Sequence, residues 1–277
     1  MIMKKQCGVC MHHCVLDEGQ TGRCRARKNR GDAIVCANYG HVTALALDPV
    51  EKKPFRRFCP GKKILSVGSY GCNLSCPFCQ NHEISMAGEN QAGSIVISPK
   101  ELVQRAMALK GQGNIGIACT YNEPMTGYEY VRDTFVLAKE EEMKTAVVTN
   151  GSVNDEALDE VLPFTDAMNI DLKGFTETYY EMIGGDLRTV KHFIEKAAGR
   201  CHVELTTLIV PGKNDSPEEM RRLAQWVAGI DRKIPLHVTR FFPAYRMADA
   251  EPTAVETVYR LAQEASGYLD YVYTGNC

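Results

Sequence analysis

From residue 64 onward the apolar residues change period repeatedly. Short runs dominated by Val, Ile, Leu and Ala alternate with longer stretches in which apolar residues recur every three or four positions. The runs "ILSV" (64–67), "IGIACT" (115–120), "KTAVVT" (144–149), "AMNIDLK" (167–173), "HVELTTLIV" (202–210) and "LHVTRF" (236–241) predict strands. "YVY" (271–273) adds a short final one. The stretches 98–113, 127–142, 155–162, 187–199, 216–229 and 252–265 predict helices. Two of them share a start signal: Ser98, Pro99 and Glu101, then Ser216, Pro217 and Glu219. Each set places an N-cap, a proline at the first helical position and the acidic partner of a capping box.

Six strand–helix units at roughly 30–35 residues each have the spacing of parallel strands with crossover helices. The expected fold class is α/β: a partial (β/α)6 TIM-like barrel over 61–277. Residues 1–60 do not share this rhythm and are expected to form a small cysteine-rich module. In parallel β/α architectures chemistry gathers beyond the carboxyl ends of the strands. Six polar motifs fall there: "CNLSCPFC", "TYNEP", "TNG", "DLK", "VPGKND" and "RFFP".

The chain has 277 residues, 44% of them hydrophobic, enough for a sizeable core. Its net charge of −2 is unevenly spread: 13 Lys and Arg face 5 Asp and Glu in residues 1–63, against 19 and 29 in the rest. The basic cluster "RCRARKNR" is short and has no interleaved aromatics, so it reads as a face docked on the acidic body and not as a nucleic-acid surface. No apolar run reaches the ~18 residues that span a membrane, and none resembles a secretory signal. Twelve cysteines in such a chain read as metal ligands in a reducing cytoplasm and not as a disulfide framework.

Cys72, Cys76 and Cys79 have the spacing C-x3-C-x2-C in the loop after the first barrel strand. Soft thiolates select zinc, copper(I) or iron–sulfur clusters. Three cysteines on a [4Fe–4S] cube leave one iron without a protein ligand, free to take a substrate or cofactor. Asn73, Ser75 and Gln80 are candidate donors to the sulfurs, and Phe78 is placed to stack on a ring. The alternative is a zinc site completed by His82 or a distant cysteine.

"CNLSCPFC" resembles the signature of radical S-adenosylmethionine (radical SAM) enzymes, and the likeness extends over 61–277. The resemblance implies that the amino and carboxylate groups of SAM chelate the open iron. It implies that the reduced cluster cleaves SAM to a 5′-deoxyadenosyl radical, which abstracts hydrogen from a substrate. It further implies that Glu123 contacts the SAM amino group, although Tyr121 and Asn122 stand where the family has two glycines. "MNIDLKGF" resembles the Asp-x-Lys strand end of the glycyl-radical activating enzymes, with Lys173 as a cation for the SAM carboxylate and Asp171 as its partner. Thr149 and Asn150 match the Asp-Thr-Asn-Gly segment, with Val148 in place of the aspartate. Val210, in a Val-Pro-Gly-x-x-Asp loop, is implied as an adenine contact. In "RFFPAYRM", Tyr245 replaces the activase histidine, and Arg240 is either an anion site or the partner of a glutamate.

Upstream, Cys7, Cys10, Cys14 and Cys24 have the spacing C-x2-C-x3-C-x9-C, a set that closes around zinc or an auxiliary iron–sulfur cluster. This head with "NYGHVTALALDPVEKKP" resembles the AmmeMemoRadiSam group, which is pyruvate formate-lyase activating enzyme-like. The implied partners are a small-molecule, peptide or protein substrate and a reductant such as flavodoxin or ferredoxin. A glycine in a partner enzyme is the narrower alternative. A non-catalytic iron–sulfur or zinc protein for electron transfer or interaction is the alternative of another class. His41, Cys36, Cys59, Cys119 and Cys201, each alone near an apolar stretch, read as structural.

Overall fold

In the computed structural model, which describes residues 4–277, eight strands form one open sheet. Small hairpins precede it: β1 (Lys5–Gln6) pairs with β2 (Val15–Leu16), and β3 (Arg27–Arg30) with β4 (Ala33–Cys36). β5 (His41–Val42) pairs with the later β8 (Ile95–Val96). The large sheet comprises β6 (Ala44–Pro49), β7 (Lys63–Gly68), β9 (Asn114–Cys119), β10 (Lys144–Thr149), β11 (Ala167–Asp171), β12 (His202–Ile209), β13 (Leu236–Arg240) and β14 (Val272–Gly275). Its order is β14-β13-β12-β11-β10-β9-β7-β6. All pairings from β7 through β14 are parallel, and β6 pairs antiparallel to β7. The six expected strands are all present within a residue or two of their predicted bounds. This is the partial barrel read from the sequence.

The helices are α1 (His82–Ser85), α2 (Pro99–Ala108), α3 (Tyr128–Glu140), α4 (Asp155–Val161), α5 (Glu177–Ile183), α6 (Leu187–Ala198), α7 (Pro217–Ile230) and α8 (Val255–Ser266). Ser98 and Ser216 cap α2 and α7 as expected, accepting from the Glu101 and Glu219 amides at 3.2 and 3.1 Å. The glutamates do not return the bond. Glu101 pairs with Arg105, and Glu219 accepts the Phe175 amide at 2.6 Å, because those partners offer a donor in a better position.

Alternation sorts each strand into two faces. Leu65, Val67, Ile117, Cys119, Val147, Met168, Ile170, Leu205 and Val238 belong to the core shared with the helices. The opposite face carries small residues, and Ile64, Ala118, Ala146 and Ala167 close around Val50, Phe55 and Phe58. Residues 44–58, placed by sequence pattern in the amino-terminal module, thus supply an edge strand and a plug to the barrel. An open parallel edge leaves a row of unpaired backbone groups, and β6 covers it.

The plug is held by one fully buried carboxylate. Glu204 accepts backbone hydrogen bonds from Arg56 (2.9 Å), Arg57 (2.8 Å) and Phe58 (3.2 Å), and bonds with His202 (2.9 Å) and His237 (2.7 Å). Burial alone raises its pKa, but the two histidines and these amides outweigh burial and lower it to about 2.

The cysteine-rich head sits on the rim. Cys10 bridges to Val153, the Asn154 amide donates to the Val9 carbonyl at 2.9 Å, and Asn38 donates to the Tyr70 carbonyl at 2.8 Å. Its basic cluster docks on acidic residues of the body: Arg27 meets Glu129 at 2.6 Å, and Lys28 and Arg30 meet Glu89 at 3.3 and 3.6 Å. No helix among the described residues is long and apolar enough to cross a membrane, and all twelve cysteines are free thiols.

The Glu204 network predicts acid lability. A depressed folded pKa contributes stability that is complete above the unfolded value near 4.5 and is lost as pH falls toward about 2. Glu204→Gln should cost about 3 kcal/mol at neutral pH in urea unfolding. It should also flatten the stability profile between those two pH values.

Candidate active site

The loop following β7 begins with a backbone constraint. Gly71 has φ +90°, and a Cβ there would lie 2.5 Å from the Cys24 carbonyl oxygen. Only glycine lets the head approach the first cysteine of the triplet so closely. Beyond it, the Ser75 amide donates to Ile183 O at 2.8 Å and the Cys79 amide to Cys76 O at 3.3 Å. Cys72 accepts from the Leu74 amide at 3.4 Å and from the Asn150 side chain at 3.6 Å. Burial pushes the Cys72 thiol well above its usual pKa, and the Cys76 thiol to about 11, where nearby Lys173 opposes the rise. The three sulfurs sense one another electrostatically.

Of the expected donors to sulfur, Ser75 donates its hydroxyl to Ile183 O, and Gln80 points into solvent. Asn73 donates to Ser152 O at 2.7 Å. Asn150 supplies the side-chain bond to Cys72 instead, because it arrives from β10 and not from within the loop. Phe78 is buried and stacked on Tyr179, with centroids 6.4 Å apart. His82 contacts Cys79 O through Nδ1 at 3.2 Å and stacks on Tyr245, with centroids 4.6 Å apart.

Glu123, 2% exposed, lies after β9. Oε1 accepts from Thr149 Oγ1 (2.6 Å) and the Met125 amide (3.0 Å), and Oε2 from the Asn150 amide (2.7 Å). A carboxylate has about four acceptor directions, so one on Oε2 remains for another donor. Burial raises this carboxyl to about 7 against those three bonds. Across the rim, Lys173 Nζ bonds Asp171 at 2.8 Å. Burial works against the ammonium, but Asp171 and the Cys76 thiol more than offset it and raise the pKa well above the usual lysine value.

Val210 is fully buried, and its amide donates to Asn214 Oδ1 at 2.7 Å. Asn214 also donates to the Lys173 and Leu208 carbonyls at 2.7 and 2.8 Å, tying the β11 and β12 loops together. Arg240 donates to Thr253 O at 2.7 Å and lies over Phe242, and among the described residues it pairs with no glutamate. Tyr121, at φ +74°, lays its ring beside Gly68 and bonds Asp48 at 2.8 Å, with Lys53 4.2 Å above the ring centroid. Tyr121, Asn214 and Tyr179 went unassigned in the sequence, and His12, a candidate replacement for a head cysteine, instead bonds the Asn73 carbonyl. The motif "VPGKND" contained the signal for Asn214, since asparagine is a common turn former.

In the head, Cys10 senses Cys24 and Cys7, and Cys24 senses Cys7. The Cys14 sulfur packs near Gly22, and the Cys7 amide donates to Cys14 O at 2.8 Å. Among the described residues no three His, Cys, Asp or Glu side chains are gathered as ligands of a single ion. A cube is a different demand: its thiolates bind different irons and need not share a point. The residues around the triplet fit such a group. The Tyr179 hydroxyl is buried without a partner, and Cys76 is the largest electrostatic influence on it.

A parallel β/α barrel whose first loop presents three thiols, flanked by a carboxylate and a lysine, defines an enzyme class built around a thiolate-held cluster and a charged cosubstrate. The Radical SAM superfamily model matches residues 66–227, and the chain belongs to that superfamily of enzymes, which bind a [4Fe–4S] cluster and SAM. It is 37% identical to the uncharacterized protein MJ0808 of Methanocaldococcus jannaschii, across 99% of this chain and 81% of that one. It is 27% identical to the pyruvate formate-lyase 1-activating enzyme of Escherichia coli, over 56% of this chain and 65% of that enzyme. Streptococcus suis SuiB bound to S-adenosylmethionine shares the fold at TM-score 0.60 and 13% identity, over 75% of this chain and 48% of that one.

Asn214→Ala should leave the Val210 amide and two carbonyls without a partner. The expected cost is about 1–3 kcal/mol in urea unfolding, with faster amide exchange at Val210.

Proposed function

We propose that Cys72, Cys76 and Cys79 hold the [4Fe–4S] cluster, and that Glu123 and Lys173 hold the two charged ends of the SAM amino acid moiety. The carrying observation is the pair of opposite charges around the triplet: a buried carboxylate with one open acceptor direction, and a lysine paired to a single aspartate. SAM carries an ammonium and a carboxylate and is complementary to that pair. The reduced cluster, when bound, would supply one electron that breaks the S–C5′ bond of SAM, giving methionine and a 5′-deoxyadenosyl radical that takes a hydrogen atom from substrate to become 5′-deoxyadenosine. Asn150 orients both Glu123 and Cys72, while Asp171 keeps Lys173 charged and aimed. Val210 and Phe78 shape the walls from within the core, consistent with their burial.

The substrate is a small molecule, peptide or protein. Likeness to an activating enzyme supports a glycine of a partner enzyme as the narrower reading. The reductant is a flavodoxin- or ferredoxin-type carrier in the cytoplasm. Cys7, Cys10, Cys14 and Cys24 form a second metal site in the head, with zinc or an auxiliary cluster as occupant.

Anaerobic reconstitution should give a SAM-responsive cluster, and Ala at any one of the three positions should abolish 5′-deoxyadenosine formation with dithionite. Full turnover by Cys76→Ala would refute the ligand assignment. A variant lacking all three thiols should keep about one zinc and no colour if the head holds zinc. It should keep about four irons and a chromophore if the head holds a cluster.

Glu123 gives SAM binding a pH dependence. Only the ionised carboxyl accepts from the ammonium, and in the free protein it protonates near 7. Affinity should therefore fall by up to about tenfold per pH unit below that value. Glu123→Gln should remove this limb in a calorimetric titration. Glu123→Ala and Lys173→Ala should each weaken binding by roughly 10- to 150-fold with the cluster intact.

A further inference from the structure

A line of hydrogen bonds leads from His12 in the cysteine-rich head to the Cys72 sulfur. Asn73 Oδ1 accepts from Asn150 Nδ2 at 2.9 Å, and the same Asn150 amide lies 3.6 Å from the Cys72 sulfur. Asn150 cannot turn freely, because its Oδ1 accepts the Ser152 amide at 2.9 Å. His12, between Cys10 and Cys14 in sequence, bonds through Nε2 to the Asn73 carbonyl at 2.8 Å. Asn73 and Asn150 are 0% and 5% exposed, so water cannot replace a lost donor without rearrangement.

We propose that this line makes the amino-terminal cysteine site a positioning element for the SAM cluster. Metal held by Cys10 and Cys14 would fix the loop that carries His12, His12 holds the Asn73 carbonyl, Asn73 fixes Asn150, and Asn150 sets the hydrogen bond to Cys72 that tunes the cluster's reduction potential. Hydrogen bonds to ligating sulfur belong to the levers that set such potentials. The reduced cluster carries one more negative charge, so a donor stabilises it more than the oxidised form, and losing the donor lowers the potential. The head would then act through Asn73 whichever metal it binds. The inference rests on the assignment of the cluster to Cys72, Cys76 and Cys79.

The test is a redox titration of the reconstituted full chain, without SAM, followed by electron paramagnetic resonance. The SAM-cluster signal is identified as the one that Cys72→Ala removes. Asn150→Leu, His12→Ala and Cys10→Ser should each shift the midpoint to lower potential at unchanged iron in that cluster. His12→Gln, which keeps a donor, should restore the wild-type value. In the Asn150→Leu background, His12→Ala and Cys10→Ser should add no further shift. A wild-type potential in Asn150→Leu would overturn the proposal. So would a Cys10→Ser or His12→Ala shift that persists undiminished in that background. If Cys10→Ser does not fold, the His12 pair still decides, since it leaves every cysteine in place. If Cys72→Ala removes no signal, the cluster assignment itself is refuted, and the two failures are distinct.

Discussion

One buried carboxylate ties the working end of this barrel together. The Glu123 amide donates to Gly71 O at 3.2 Å, and its side chain accepts from Thr149 and Asn150. It thereby joins the loops after β7, β9 and β10, which carry the cysteine triplet, the carboxylate itself and the asparagine facing Cys72. Desolvation is the cost, and it is visible as a carboxyl raised to about 7 despite three donors. Such a group is poised to gain an ammonium as a fourth partner, since a new positive charge relieves what burial imposes. The same bonds that build the rim thus leave it incomplete toward a cationic ligand.

The amino-terminal half of the machinery is less separable than a head attached to a barrel. The antiparallel β6 covers the parallel edge, and Phe55 fills space left by alanines on three neighbouring strands. Glu204 fixes the plug at one end of the lumen while the cysteine-rich head sits at the other. Buried charges of this kind persist where several hydrogen bonds satisfy them together. Gly71 marks where the head and the triplet meet, with no room for a side chain between them.

The barrel was legible because parallel strands covered by helices read as apolar runs, and their spacing left little choice of topology. The triplet and Glu123 stand out as candidates because their motifs are local. Partners distant in sequence were not. Nothing near Asn150 signals that it reaches Cys72, and nothing in "CMHHC" signals that His12 meets Asn73. Helix α5 was missed because seven residues carry too little periodicity, although it supplies Tyr179 and Tyr180 to the site. β6 was missed for a related reason: an antiparallel edge strand carries no following helix and so breaks no visible rhythm.

The central claim is that the open iron takes SAM while Glu123 and Lys173 hold its charged ends. Electron–nuclear double resonance on the reduced protein, with SAM labelled by 15N in the amino group and 17O in the carboxylate, tests it most directly. The account predicts that both nuclei couple to the cluster. SAM bound at full stoichiometry with neither nucleus coupled would contradict it.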